Sequence, residues 1–311
     1  MKSLTIYINE YIIKNKLNKP IDSEDHYEYF PKTKEELIKN IEELLDKRET
    51  DLNCIDTSKI TDMSNLFYNS KFENININVS NWDVSNVKDM NHMFCNCDNF
   101  NCNLSNWDVS NVTKMEYMFC NCIKFDCDLS NWDVSNVTNM QNMFYNCKEF
   151  NGDLSGWDII NVTNMSSMFY NCKIFEGKGL DKWNVHNVEN MSSMFMDCIN
   201  FNGDLSKWNV SKVTNMISMF FKCINFNGDL SKWKVNNVEF MNYMFQYCEN
   251  FDGDLSKWNV SKVTSMRRIF FGCEKFKGKG LENWDVSNVK YMDYIFDGCK
   301  SLKNKPSWYK E

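Results

Sequence analysis

Alanine is absent from the 311 residues, proline occurs only at Pro20, Pro31 and Pro306, and arginine only at Arg48, Arg267 and Arg268. A chain without its best helix former is a poor candidate for an ordinary helical enzyme. Three arginines and a formal net charge of −7 argue against a nucleic-acid partner, whose phosphates demand dense positive charge. No apolar run approaches the ~20 residues that cross a bilayer, so no membrane span is expected. Glu10 interrupts the stretch a signal peptide would need, and the expected location is cytoplasmic. What remains is 43% hydrophobic and 15% aromatic, enough to form a core, together with 46 asparagines.

Those residues recur. Tryptophans fall at 82, 107, 132, 157, 183, 208, 233, 258, 284 and 308, intervals of 24 to 26 residues, and Phe-x-x-Cys runs in step from Phe94/Cys97 to Phe296/Cys299. A fixed period of this size marks a solenoid. Within one unit Val137, Met140, Phe144 and Cys147 are three or four apart. The spacing predicts a two-turn helix, with Thr138 and Gln141 as its capping box. Leu154, between Phe150 and Trp157, predicts one short strand of a stacked parallel sheet. Ile55 to Phe67 reads as a degenerate first coil, with Ile55 in the Trp place and Ser70 in the Cys place. Before it, Thr33-Lys34-Glu35-Glu36 opens an amphipathic helix to about Arg48 that would cover one end of the core. Residues 1–19 carry apolar side chains at helical spacing and read as a docking helix or arm.

The unit Trp132-Asp133-Val134-Ser135-Asn136-Val137-Thr138, followed by Met140, Met143-Phe144, Cys147, Phe150 and Gly152-Asp153-Leu154-Ser155, resembles the BspA-like leucine-rich repeat of bacterial surface proteins and mycoplasma-type lipoproteins. The resemblance covers residues 52–308. It implies a leucine-rich-repeat-like α/β solenoid of about ten coils, each with one short strand and one short helix, serving adhesion or protein binding without catalysis. The organisation expected is an N-terminal arm and helical cap over 1–51, the solenoid over 52–308 and a tail over 309–311.

Other readings of the repeated residues are weaker. Nine of the fourteen cysteines occupy one repeat position, where a thiol serves as a small apolar side chain. Adjacent helices ~8–10 Å apart would keep these thiols from pairing, whereas Cys102 and Cys127, in the strand region, could meet across ~4.8 Å. Cys95-x-Cys97 and Cys120-x-Cys122 have the wrong gap for zinc. One aspartate per coil, at Asp153, Asp204, Asp229 and Asp254, is too few for calcium. His26, His92 and His186 share no context with a nucleophile and read as surface residues. Gly177-Lys178-Gly179 and Gly278-Lys279-Gly280 coincide with the 26-residue intervals and read as bulges rather than phosphate loops. No catalytic residue, cofactor or metal ligand is expected. The tryptophans, eight of the ten followed two residues later by Val, should point inward, and the asparagine columns beginning at Asn86 and Asn96 should form ladders between coils.

Charge singles out one surface. Residues 52–160 hold 14 acidic and 6 basic side chains, a balance of −8, whereas residues 161–311 hold 16 and 20, a balance of +4. The switch shows beside the tryptophans, where Asp83, Asp108, Asp133 and Asp158 give way to Lys182, Lys207, Lys232 and Lys257. These eight residues are the candidate partner-binding set, either for a protein of opposite polarity or for head-to-tail self-association. The function expected is a non-enzymatic protein-binding scaffold. The alternative is a cell-surface adhesin or carbohydrate-binding module.

Overall fold

The spacing of Met140, Met143, Phe144 and Cys147 does not produce a helix. In the computed structural model, which describes residues 27–68 and 75–310, Asn142 and Asn146 have φ of 55° and 61°, left-handed values that no α-helix admits. The segment is a ribbon of overlapping turns. Met143 N–H donates to the Met140 carbonyl at 3.3 Å, Tyr145 to Asn142 at 3.1 Å and Cys147 to Phe144 at 3.1 Å. The alternate N–H groups, of Met140, Asn142, Phe144 and Asn146, point along the solenoid axis. They reach the carbonyls of Asn164, Ser166, Met168 and Tyr170 in the next coil at 2.6–3.0 Å. A helix would consume these donors internally; the ribbon spends them on its neighbour. Asparagine, common at both positive-φ columns, tolerates that conformation better than most residues.

The expected strand near Leu154 is not formed either. Apart from Tyr29–Ile55 and Asp51–Asn78 near the N-terminal end, parallel pairing occurs as single-residue bridges within the ribbon, through Asp62, Asp89 and Lys114 and again through Asn139, Asn164, Asn190, Asn215, Phe240, Ser265 and Tyr291. At the strand position, side chains replace the ladder. The Asp126, Asn151 and Glu176 N–H groups each donate at 3.0 Å to the Oδ1 of Asn101, Asp126 and Asn151, one coil back. Thr138 caps nothing; the Asn139 side chain accepts from Gln141 N–H at 3.0 Å. The solenoid thus stands on turns and inter-coil hydrogen bonds, without a helix or a strand in each coil.

Inside, the columns pack as one core running from Leu37 to Cys299. Trp107 to Trp308 stack at 6.2–6.5 Å with planes within 7° of parallel, and Trp157 Nε1 donates to the Leu129 carbonyl of the previous coil at 2.9 Å. Asn136 Nδ2 donates to Ser110 O at 2.7 Å, and Asn146 Nδ2 to Asn121 Oδ1 at 2.9 Å, so both asparagine columns are inter-coil ladders. All fourteen cysteines are unpaired. The reason differs from helix separation, because the ribbon sets coils at strand-like spacing. Each core thiol is instead directed at a carbonyl, as in Cys172 Sγ to Phe144 O at 3.0 Å. Cys127 Sγ likewise turns to the Cys102 carbonyl.

Helix α1, Lys34–Asp46, lies at the N-terminal end. Thr33 Oγ1 accepts from Glu36 N–H at 3.3 Å, while the Glu36 carboxylate reaches back past Thr33 to Lys32 N–H at 2.7 Å. Its buried face is Leu37, Ile41 and Leu44, joined to Leu52 and Ile55 in the core. The arm 1–19, His26 and Ser70 lie outside the described residues.

The extra residue of the 26-residue intervals forms a 3-10 turn, at Leu180–Lys182 and Leu281–Asn283, entered through Gly179 and Gly280 at φ of 88° and 89°. A Cβ on Gly179 would lie 2.7 Å from Ser155 Cα and collide with its backbone. Gly179→Ala is therefore expected to lower stability by roughly 2–4 kcal/mol in denaturant titration, the sum of left-handed strain and a backbone displacement. Gly228→Ala should change it by less than about 1 kcal/mol. Its nearest neighbour is only the Phe226 ring, and Cys102 and Cys127 hold the same repeat position in other coils.

Candidate functional site

With Trp82 to Trp284 buried, the residues on either side of each face solvent, and all eight candidate residues are exposed. Asp83, Asp108 and Asp133 each use Oδ1 to accept from the N–H of the serine two residues on, and Asp158 from Ile160, at 3.0–3.1 Å. Asn209 and Asn259 make the same turn with Ser211 and Ser261 at 3.2 and 3.0 Å. Exchanging Asp for Asn along this column keeps the turn and removes the charge. The charge of the N-terminal coils is thus dispensable to the local structure and free to act outward.

Lys182, Lys207, Lys232 and Lys257 make no ion pair or hydrogen bond among the described residues. They do not form a bare positive stripe, however. Asp204 and Asp229 lie close enough for Lys207 and Lys232 to help hold their carboxyls below the usual range, after the larger effect of hydrogen bonds from Ser206 and Ser231. The two remaining members of that aspartate column are taken by the Gly-Lys-Gly lysines. Lys178 pairs with Asp153 at 3.0 Å and Lys279 with Asp254 at 2.6 Å. The Ser155 N–H and Lys178 bring Asp153 down to about 2. These lysines are occupied as ties between coils, and each aspartate also closes a turn, as Asp153 does onto Ser155 N–H at 2.9 Å.

The histidines occupy separate columns. His186 Nδ1 lies 3.3 Å from Asn209 Nδ2 on the surface. His92 is half-buried, stacked on Tyr117 at 4.5 Å, and burial pulls its pKa down. It is a packed ring rather than the surface residue expected. Among the described residues no three His, Cys, Asp or Glu side chains converge as metal ligands, and no helix is long and apolar enough to cross a membrane.

A second surface was not anticipated. The outward columns of the turn ribbon are mostly Asn and Ser in the middle coils but become aromatic and cationic toward the C-terminal end. Lys222 lies 5.4 Å over Phe221, and Arg268 lies 5.5 Å over Phe271 and 5.2 Å over Tyr294. Tyr247 meets Phe271 edge-on at 5.4 Å, and Phe240, Tyr291 and Tyr294 are exposed. The signal in the sequence was variation between copies at fixed repeat positions, which the assumed helix concealed by hiding which positions face out.

No curated protein matches the chain. Among solved structures it is similar to the crystal structure of a TLR13–ssRNA13 complex, with 11% identity, a TM-score of 0.28 and coverage of 87% of this chain. The chain spans about half, 48%, of the length of that protein. A family model described as a mycoplasma protein of unknown function, DUF285, matches four overlapping stretches, residues 35–153, 61–179, 163–280 and 248–310. With matches running from the capping helix through the last coil, the chain belongs to the DUF285 family of repeat proteins.

Proposed function

We propose that the protein is a non-catalytic scaffold that presents a long, regular surface to a protein partner. The observation that carries this reading is the contrast between a uniform interior and an exterior whose charge changes from coil to coil without altering the turns beneath it. Repetition fixes the position of each outward side chain, so a partner can be matched one coil at a time. The balance of −8 over residues 52–160 and +4 over 161–311 gives the solenoid an electrical direction that would orient an approaching partner. A head-to-tail second copy would satisfy the same polarity.

The test starts with capture of the partner on the immobilised chain. Association of the captured partner is then measured with Lys207, Lys232 and Lys257 replaced by Glu. The on-rate should fall about tenfold at low salt and lose most of its salt dependence. An on-rate that does not move would remove the lysine column from the interface. The likeness to BspA-type surface repeats supports a second reading, adhesion at the cell surface. Surface labelling and fractionation of the source cells distinguish it, because only an adhesin requires exposure outside the cell.

A further inference from the structure

The cysteines are not spread evenly along the solenoid. The coils 82–106 and 107–131 hold six of the fourteen, in three facing pairs, Cys95 with Cys120, Cys97 with Cys122 and Cys102 with Cys127. In two of these pairs the sulfurs turn to oxygen instead of to each other. Cys97 and Cys122 aim at the carbonyls of Phe67 and Phe94 at 3.5 and 3.0 Å, Cys102 at Asn78 Oδ1 at 3.5 Å, and Cys127 at the Cys102 carbonyl. Cys95 and Cys120 differ, because the Cys120 thiol hydrogen-bonds the Cys95 sulfur.

The backbone holds that contact in place. Phe94 N–H donates to Met118 O at 2.9 Å and Asn96 N–H to Cys120 O at 2.8 Å, fixing the two ribbons in register on both sides of Cys95. Equivalent side chains of these coils meet directly, as His92 and Tyr117 do at 4.5 Å and as Asn121 Nδ2 and Asn96 Oδ1 do at 2.7 Å. Further along the Cys95 column itself, Tyr145 and Tyr170 stack at 4.3 Å. A separation of ~4.8 Å between paired ribbons lies inside the ~4.4–6.8 Å window of Cα distances that a disulfide spans. The pair also sits at the rim of the core. Cys95 and Cys120 keep 5% and 7% of their surface exposed, beside half-buried Asn96 and Asn121, whereas Cys122 and Cys147 keep none.

We propose that Cys95 and Cys120 form a reversible oxidation site, converted to a disulfide by a hydroperoxide. The Cys95 sulfur attacks one peroxide oxygen. The O–O bond breaks, the Cys95 proton leaves with the departing oxygen as water, and the sulfur is oxidised by two electrons to a sulfenic acid. The Cys120 sulfur then attacks the Cys95 sulfur, the S–O bond breaks, and the hydroxyl departs with the Cys120 proton as a second water. A dithiol reverses the change by exchange. Cys95 is the attacking member because the hydrogen bond from Cys120 draws its thiol down against the effect of burial. Burial pushes up the other four thiols of these coils, Cys97 and Cys127 to about 12. Nothing in the packing demands sulfur at this position, since Gln246 and Asp297 occupy it in later coils. The column is separate from the residues beside the tryptophans, so the site stands or falls independently of a partner bound there.

The test treats the reduced full chain, natively folded, with hydrogen peroxide, then blocks free thiols with N-ethylmaleimide and digests without reductant. Mass spectrometry should find Cys95 joined to Cys120, with the loss of two hydrogens, and the other cysteines blocked. Dithiothreitol should restore both thiols. Cys95 should be consumed about 100-fold faster than Cys147. Cys120→Ser should stop the reaction at a sulfenic acid on Cys95, trapped by dimedone, while Cys127→Ser should leave the Cys95–Cys120 bond forming as before. A chain in which Cys95 reacts no faster than Cys147, or in which the bond joins Cys97 to Cys122, Cys102 to Cys127 or two separate chains, would overturn the proposal.

Discussion

At pH 9.5, in reductant, the folded protein should be about 1.4 kcal/mol less stable per core thiol than at neutral pH. Cys122, Cys147, Cys172, Cys198, Cys223, Cys248 and Cys273 are fully buried, and burial pushes each thiol well up from its ordinary range. Each also donates to the carbonyl of a phenylalanine in the previous coil at 2.8–3.0 Å, a contact a thiolate cannot make. The folded state therefore holds these protons after an unfolded chain has begun to release them near pH 8.5. Stability is fully present below that value and is lost as pH rises above it. Seven thiols together amount to roughly 10 kcal/mol at one unit above, comparable with the whole stability of a typical domain. Thermal melts followed by circular dichroism from pH 7.5 to 10.5 should show a steep fall in Tm, and replacing Cys198 and Cys223 by Ala should flatten it. A Tm unchanged up to pH 10.5 would mean that the column is not buried as described.

Phe169→Ala should lower the unfolding free energy by about 3–5 kcal/mol. Phe169 is fully buried between Phe144 and Phe195, at centroid distances of 5.6 and 5.8 Å in its own column. Across the coil it touches Phe175 at 4.3 Å and lies 6.3 Å from Trp183. Backbone hydrogen bonds to both neighbouring coils, through Phe169 N–H to Met194 O and Phe144 N–H to Met168 O at 2.9 Å, hold the coils in register. They prevent neighbouring coils from collapsing into the space, so the cavity term should be near the upper end of its range. The effect is read from urea or guanidinium titration. An unchanged midpoint would place the ring outside the core.

The period, the inward tryptophans and the core columns were legible in the sequence because burial repeats whatever the backbone does. An apolar side chain every three or four residues marks one face, and Val137, Met140, Phe144 and Cys147 share that face in the structure. The same spacing suits a helix and a ribbon of turns equally well, since both return side chains to one side after three or four residues. The choice between them was not legible there. It depends on where alternate N–H groups go, and only the next coil supplies their acceptors.

Of the candidate surface, the exposed positions of Asp83 to Lys257 could be read from alternation with Trp, but the ties of Lys178 to Asp153 and Lys279 to Asp254 could not, because each joins residues 25 apart. By itself the sequence determined a repeating chain with a thiol- and aromatic-lined core, because hydrophobic burial is a property of each residue and its spacing. The tertiary structure alone decided the turn ribbon and the forward direction in which its alternate N–H groups bond, because a hydrogen bond between coils exists only when both coils are in place.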